Sequence, residues 1–239
     1  MKTGGTTNKE VTTVFDTRKS YEYFDPASSP TVHIIGCGAL GSTIAVQIAR
    51  LGVTNIHLWD MDTVESVNIA NQQFFDKHIG RTKVSALAEI LMDINPLLKS
   101  TIVEHGAYTN EELDGILFIP VDSIDVRKAI INNNRYNPKC LGFIDARMRL
   151  TDAQLYSAYF QSQQSIDHLL MTMNFTDEEA DAATPISACG TTLSVIPTVQ
   201  TISAYAVANY ITLVKDGKPA YKMIVLDTFN GAFDMFPHK

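Results

Sequence analysis

Thr31-Val32-His33-Ile34-Ile35 runs directly into Gly36-Cys37-Gly38-Ala39-Leu40-Gly41, and Leu40, Ile44, Ile48 and Leu51 then recur on one helical face. A β-branched run, a G-x-G-x-x-G turn and an amphipathic helix in that order form one strand–loop–helix unit. Each glycine has a separate reason. Gly36 permits the tight turn, Gly38 lets the backbone approach a phosphate, and Gly41 lets the helix pack close to the strand. The helix start supplies free N–H groups and a positive dipole end for an anion. Gly52 stops the helix, and Asn55-Ile56-His57-Leu58-Trp59 reads as a second strand parallel to the first. Asp60 ends that strand, 19 residues beyond Gly41, where a carboxylate accepts hydrogen bonds from ribose hydroxyls. Gly36, Gly38, Ala39, Leu40, Gly41 and Asp60 are therefore candidate nucleotide contacts. This pattern alone does not separate NAD, FAD and ATP.

The remaining pattern predicts an α/β fold: a Rossmann-like, mostly parallel sheet with helices on both faces, extended by antiparallel strands. Strands are expected over residues 100–104, 115–121 and 140–145, with helices over 81–93 and 123–135. Residues 153–160 read as an antiparallel strand. A polar crossover follows, and its acidic run Asp177 to Asp181 reads as a solvated loop. A long apolar helix lies within 191–214, and two closing strands flank the Asn230-Gly231 turn. Residues 1–29 read as a tail or arm and 30–239 as one nucleotide-binding domain. There is no internal repeat.

Composition narrows the function classes. The chain has 239 residues, enough for one sizeable core, with a formal charge of −7 and no Lys/Arg run. A nucleic-acid footprint is not expected. Residues 191–214 are interrupted by Pro197, Gln200 and Asn209, so a membrane span is not expected either. The polar N-terminus lacks the apolar core of a signal peptide, and Cys37, Cys140 and Cys189 form no CxxC pair. A reducing, cytoplasmic setting is the expectation.

The string after Asp60 is the specific signal. Asp60-Met61-Asp62-Thr63-Val64-Glu65-Ser66-Val67-Asn68-Ile69-Ala70-Asn71-Gln72, followed by Ile79-Gly80-Arg81-Thr82-Lys83, resembles the D-x-D-x-V-E-x-S-N-L-x-R-Q and I-G-x-x-K signature of the E1-like activating enzymes, the ThiF/MoeB/HesA superfamily. Asp122-Ser123-Ile124-Asp125-Val126-Arg127 is similar to the family's D-N-x-x-x-R segment. The resemblance covers residues 31–127 well and continues loosely through Cys189 and the long helix. It implies ATP and Mg²⁺ as cofactors and attack on the α-phosphate by the C-terminal carboxylate of a ubiquitin-like, β-grasp partner of the ThiS/MoaD type. It implies a homodimer as well. By the same resemblance Asp60 holds the ribose, with Asp62 beside it. Asn68, Gln72 and Lys83 line the triphosphate, Asp122 holds the metal, and Arg127 and Cys189 join Lys83 and Asp122 as catalytic candidates.

The chemistry suits those residue types. Joining a carboxylate to a phosphate brings two anions together, which a lysine and a metal offset as pyrophosphate leaves. A carboxylate is already ionised at neutral pH, so no general base is needed.

The sequence also departs from the signature. Asn71 replaces the family's phosphate-binding arginine, and Arg81 or Arg127 are the cations available to substitute. Arg18 is the only arginine ahead of the glycine loop for reaching into a partner's site. The four-cysteine zinc site is missing, so zinc is not expected. Two other readings stay open: a non-catalytic scaffold of the E1-like group, kept alive by Asn71, and an NAD(P)- or FAD-dependent oxidoreductase on the same half-fold. Cys189 lies ahead of the long helix, where a dipole favours a thiolate, but that position is also a common place for a small buried cysteine that only packs. The histidines show no metal-ligand spacing, and His33 and His57 read as strand residues satisfied by hydrogen bonds.

Overall fold

The computed structural model describes residues 15–186 and 193–238. Eight strands form one sheet in the order β3-β2-β1-β4-β5-β6-β7-β8. β1 (Val32–Ile35), β2 (Ile56–Trp59), β3 (Val103–His105), β4 (Gly115–Phe118) and the start of β5 (Cys140–Met148) are mutually parallel. β6 (Asp152–Tyr159), β7 (Tyr221–Asp227) and β8 (Ala232–Pro237) continue the sheet antiparallel, as the pattern predicts. The chain leaves β1 for β2 on one side and returns to β4 on the other. That reversal opens a crevice at the carboxyl ends of β1 and β4, where sheets of this kind bind ligands.

Both faces are covered. α1 (Ala39–Arg50), α2 (Lys83–Ile94) and α6 (Ile196–Asp216) bury Ile44, Ile48, Leu87, Leu91, Ile202 and Tyr210 against one face. α3 (Ile124–Asn134) and α4 (Gln163–Met171) bury Ile130, Ile131, Ile166 and Leu169 on the other. Among the described residues no helix is long and apolar enough to cross a membrane. The arm is tied down from residue 24 onward: Phe24 is fully buried, its ring centroid 5.7 Å from that of Tyr210, and Ser29 Oγ hydrogen-bonds Tyr210 Oη.

The crossover differs from its expected form. It folds as α4 and as α5 (Asp177–Ala183), a short helix held by a capping box between Thr176 and Glu179. The acidic run is not a free loop. Asp177 accepts hydrogen bonds from the Ile124 N–H and the Ser123 hydroxyl, so it docks on the N-terminus of α3, whose dipole favours an anion there. β3 starts later than expected because Pro96–Ser100 forms a 3-10 turn.

The two strand histidines are satisfied within the sheet. The Trp59 indole donates to His33 Nδ1 at 3.1 Å, which fixes His33 as the Nε2–H tautomer facing Asp114 Oδ1 at 3.2 Å. His57 Nδ1 and His105 Nε2 lie 3.1 Å apart. Burial pushes His33 down from 6.5 to about 4, against the pull of Asp114. The unfolded chain therefore takes up a proton near pH 6.5 that the folded chain refuses until about pH 4. Stability is intact above 6.5 and falls as pH drops through that window, by about 3 kcal/mol for a shift of this size. His33→Gln keeps an acceptor and a donor without titrating. Urea midpoints at pH 7.5 and 4.5 should show a clearly shallower pH slope in the variant, and equal slopes would remove His33 as the cause.

Candidate functional site

The first wall of the site is the β1–α1 loop. Gly36 sits at φ +99°, and a Cβ there would press on the Pro120 carbonyl at 3.0 Å. This contact joins the β1 and β4 loops at the crevice. A Cβ on Gly41 would lie 1.8 Å from the Gly36 oxygen, so only glycine lets α1 start this close to β1. A Cβ on Gly38 would meet nothing within 4 Å, so the backbone there is bare toward the crevice. Gly38 is also the N-cap of α1, without a side-chain cap, so the orphan amides of the first turn, near Ala39 and Leu40, are left for an anion.

The second wall is the string between β2 and α2. Asp60 Oδ2 accepts from the Cys37 N–H at 2.7 Å and Oδ1 from the Asp62 N–H at 2.8 Å, which fixes the carboxylate beside the glycine loop. The string folds back on itself: Val64 N–H donates to Arg81 O and Lys83 N–H to Asp62 O. Lys83 thereby becomes the first residue of α2, with Nζ 2.7 Å from Asp62 Oδ2 and only 11% of its side chain exposed. Burial lowers the affinity of Lys83 for its proton, but Asp62 and Asp60 overcome that and raise it, so the ammonium stays charged.

The flank is a 3-10 turn, Ser66–Ala70. Asn68 Oδ1 accepts from the Glu65 N–H at 2.9 Å, so its side chain shapes the turn. Asn71 Nδ2 hydrogen-bonds Ser194 Oγ, while Asn71 Oδ1 and Gln72 Oε1 are buried with no partner among the described residues. The motif did not single out Gln73, yet its N–H and Nε2 reach Ser42 and Thr43 at 3.2 and 3.1 Å and tie the turn to α1.

Asp122 follows the Pro120–Val121 contact with Gly36. It is exposed, and Oδ1 accepts from the Ser123 N–H at 2.9 Å. Among the described residues no three His, Cys, Asp or Glu side chains converge on one point, so a cation here relies on phosphate oxygens and water. That donor set fits magnesium, which binds through one or two carboxylates plus phosphate. On the far side of Asp122 a cavity of about 680 Å³ opens between β5, β6 and the crossover, with Arg127, Arg147, Phe175, Glu179 and Thr184 in its lining.

Arg127 lies behind Asp122 rather than in the open. Its guanidinium is buried against Asp145 and donates to the Val121 carbonyl. Burial pushes it below the usual arginine range, and Asp145 opposes that. Arg81, the other cation available in place of the missing arginine, is held by Glu89 and Ser85 on α2. Arg18 pairs with Asp16 two residues away and is 90% exposed. Cys189 lies outside the described residues. The Cys37 and Cys140 thiols are buried, and burial pushes Cys140 up to about 12 and Cys37 well above its usual value, so both stay protonated.

The structure thus gathers the glycine loop, Asp60, Asp62 and Lys83 at one end of the crevice and sets Asp122 across the β1–β4 seam. This is a Rossmann-like domain with a polar, lysine-bearing insertion after its second strand. The chain belongs to the ThiF family, whose profile matches residues 25–239. Over 134 residues it is 32% identical to ubiquitin-like modifier-activating enzyme 5 of Drosophila pseudoobscura pseudoobscura, a match that spans 48% of this chain and 33% of that protein. The enzyme of the same name from Branchiostoma floridae is 43% identical over 67 residues, spanning 28% of this chain and 16% of the relative. Among solved structures, E. coli MccB crystallised with AMPCPP and MccA superposes with a TM-score of 0.66 at 20% identity, covering 89% of this chain and 65% of MccB. At that identity the likeness speaks for the fold.

Proposed function

We propose that this chain is an adenylyltransferase: it binds ATP in the crevice and activates the C-terminal carboxylate of a ubiquitin-like protein or peptide. One observation carries the reading. A buried, charged lysine and a lone carboxylate flank a bare glycine loop, and a separate cavity opens beside that carboxylate for a second substrate. The adenosine ribose meets Asp60, and the phosphates lie over Gly38 and the first turn of α1, with Asn68, Asn71 and Gln72 on the flank. A carboxylate oxygen of the partner bonds to the α-phosphorus, the bond from that phosphorus to the bridging oxygen breaks, and pyrophosphate leaves with the electron pair. Lys83 offsets the charge that develops on the leaving oxygens. Asp122 would hold a magnesium ion, which when bound would supply further charge neutralisation.

The name of the sequence relatives supports a ubiquitin-like partner. A ThiS/MoaD-like sulfur carrier is the finer form of this proposal. A homodimer and a cytoplasmic site of action belong to the same reading, as do roles for Arg127 behind Asp122 and for Cys189 after adenylation.

Calorimetric titration with ATP–Mg²⁺ and, in parallel, NAD and NADH tests the reading. Saturable ATP–Mg²⁺ binding with no response to NAD supports it. Asp122→Asn should raise the magnesium needed for half-maximal pyrophosphate release at least tenfold while leaving ATP affinity in EDTA within twofold. Binding of NAD but not ATP would return the chain to the oxidoreductases.

A further inference from the structure

Asp145, in the middle of β5, is fully buried and accepts from two guanidiniums at once. The Arg127 fork spans from Asp145 Oδ1 to the carbonyl of Val121, the residue before Asp122. The Arg147 fork takes Asp145 Oδ2 with Nε at 2.8 Å and reaches across to Thr172, at the end of α4, with Nη1 on the carbonyl and Nη2 on the hydroxyl, both at 3.0 Å. Its guanidinium also lies 4.6 Å over the ring of Tyr156, the β6 residue in register with Asp145. One carboxylate therefore joins the β4–α3 turn, β5, β6 and the crossover.

We propose that Asp145 is a positioning residue for the reaction: through Arg127 and Arg147 it fixes the Val121–Asp122 turn relative to the Thr172 end of α4, the two sides of the cavity. The proposal rests on the adenylation reading. A buried ion triad is a poor device for stability alone, since apolar residues of similar volume serve as well or better. What it offers is direction, because a planar guanidinium fork transmits the position of one oxygen to another at fixed geometry. Two guanidiniums share one carboxylate, so the triad carries a net positive charge behind Asp122. The triad thus sets both where Asp122 stands and the field it stands in.

The test uses the full chain and Asp145→Asn, which keeps the shape and removes the charge. ATP affinity in EDTA should stay within twofold of the parent, because the glycine loop and Asp60 do not touch the triad. Mn²⁺ binding to the protein–ATP complex, read by electron paramagnetic resonance, should weaken at least tenfold. Backbone amides of residues 121–124 should exchange with solvent at least tenfold faster, while those of β1 remain unchanged. Unaltered exchange at 121–124 overturns the proposal, and so does equal loosening of β1, which would make Asp145 a general core residue. The exchange readout needs no reaction, so a parent protein that fails to bind ATP would refute the adenylation reading without touching this result. Should Asp145→Asn fail to fold, Arg127→Lys keeps the charge opposite Asp145 and removes the fork to Val121. The same changes are expected there, and parent-like behaviour overturns the proposal.

Discussion

Lys83→Ala is expected to lower the rate of pyrophosphate release by about 10²–10³-fold at saturating ATP, the range seen when one preorganised stabiliser of transition-state charge is removed. The ammonium is fixed by Asp62 at 2.7 Å and sits in a largely buried position, so its charge acts with little screening from water. The cost to the fold is the packing of the buried Lys83 stem, about 1 kcal/mol, since Asp62 is 58% exposed and its carboxylate returns to water; the melting temperature should fall by roughly 2–4 °C, far from unfolding the protein. A rapid-quench measurement of pyrophosphate, paired with a thermal melt, separates the two. A rate within threefold of the parent would remove Lys83 from the reaction.

Gly41→Ala should have the opposite signature. The added methyl would stand 1.8 Å from a backbone oxygen, 2.9 Å from its carbon and 3.2 Å from the Pro120 ring, and a backbone cannot swing aside as a side chain does. Either α1 retreats from β1 or the glycine turn opens. We expect a loss of about 3 kcal/mol or more, roughly 6–12 °C in melting temperature for a domain of this size. Gly38→Ala is the control three residues away. Its methyl meets nothing, so the melt should not change, but ATP affinity should fall because the methyl projects where a phosphate approaches. Equal stability of the two variants would contradict the close approach of helix and strand at Gly41.

The parts of this site that were legible in the sequence are those made by neighbours in the chain. Strand, glycine loop, helix and Asp60 follow from periodicity and spacing, and the Asp60–Lys83 string from resemblance. What escaped is made across the sheet. Arg127 reads as a free cation in a D-x-x-x-x-R string, because nothing local shows that Asp145 takes it. Asp145 and Arg147 read only as alternating positions of a strand. The polar crossover hid α4, whose buried face is little more than Ile166 and Leu169. α5 did carry a local sign, the Thr176-x-x-Glu179 capping box, but the acidic run around it reads as solvated surface until Asp177 is seen on the end of α3.

The contact of Phe24 and Ser29 with Tyr210 bears on how the chain is made. These partners lie 181 positions apart in the case of Ser29 and Tyr210, and the helix that carries the tyrosine follows β1–β6 and α1–α5 in chain order. Until it is made, Ile44 and Ile48 of α1 lack part of their cover from α6. A nascent chain that ends before residue 196 holds every nucleotide-contact residue proposed above but not the helix that covers α1. Closing a loop this long is slow and leaves apolar surface open meanwhile. The domain is thus expected to gain its nucleotide affinity only once α6 has been made, and chains cut before it should draw chaperones rather than ATP.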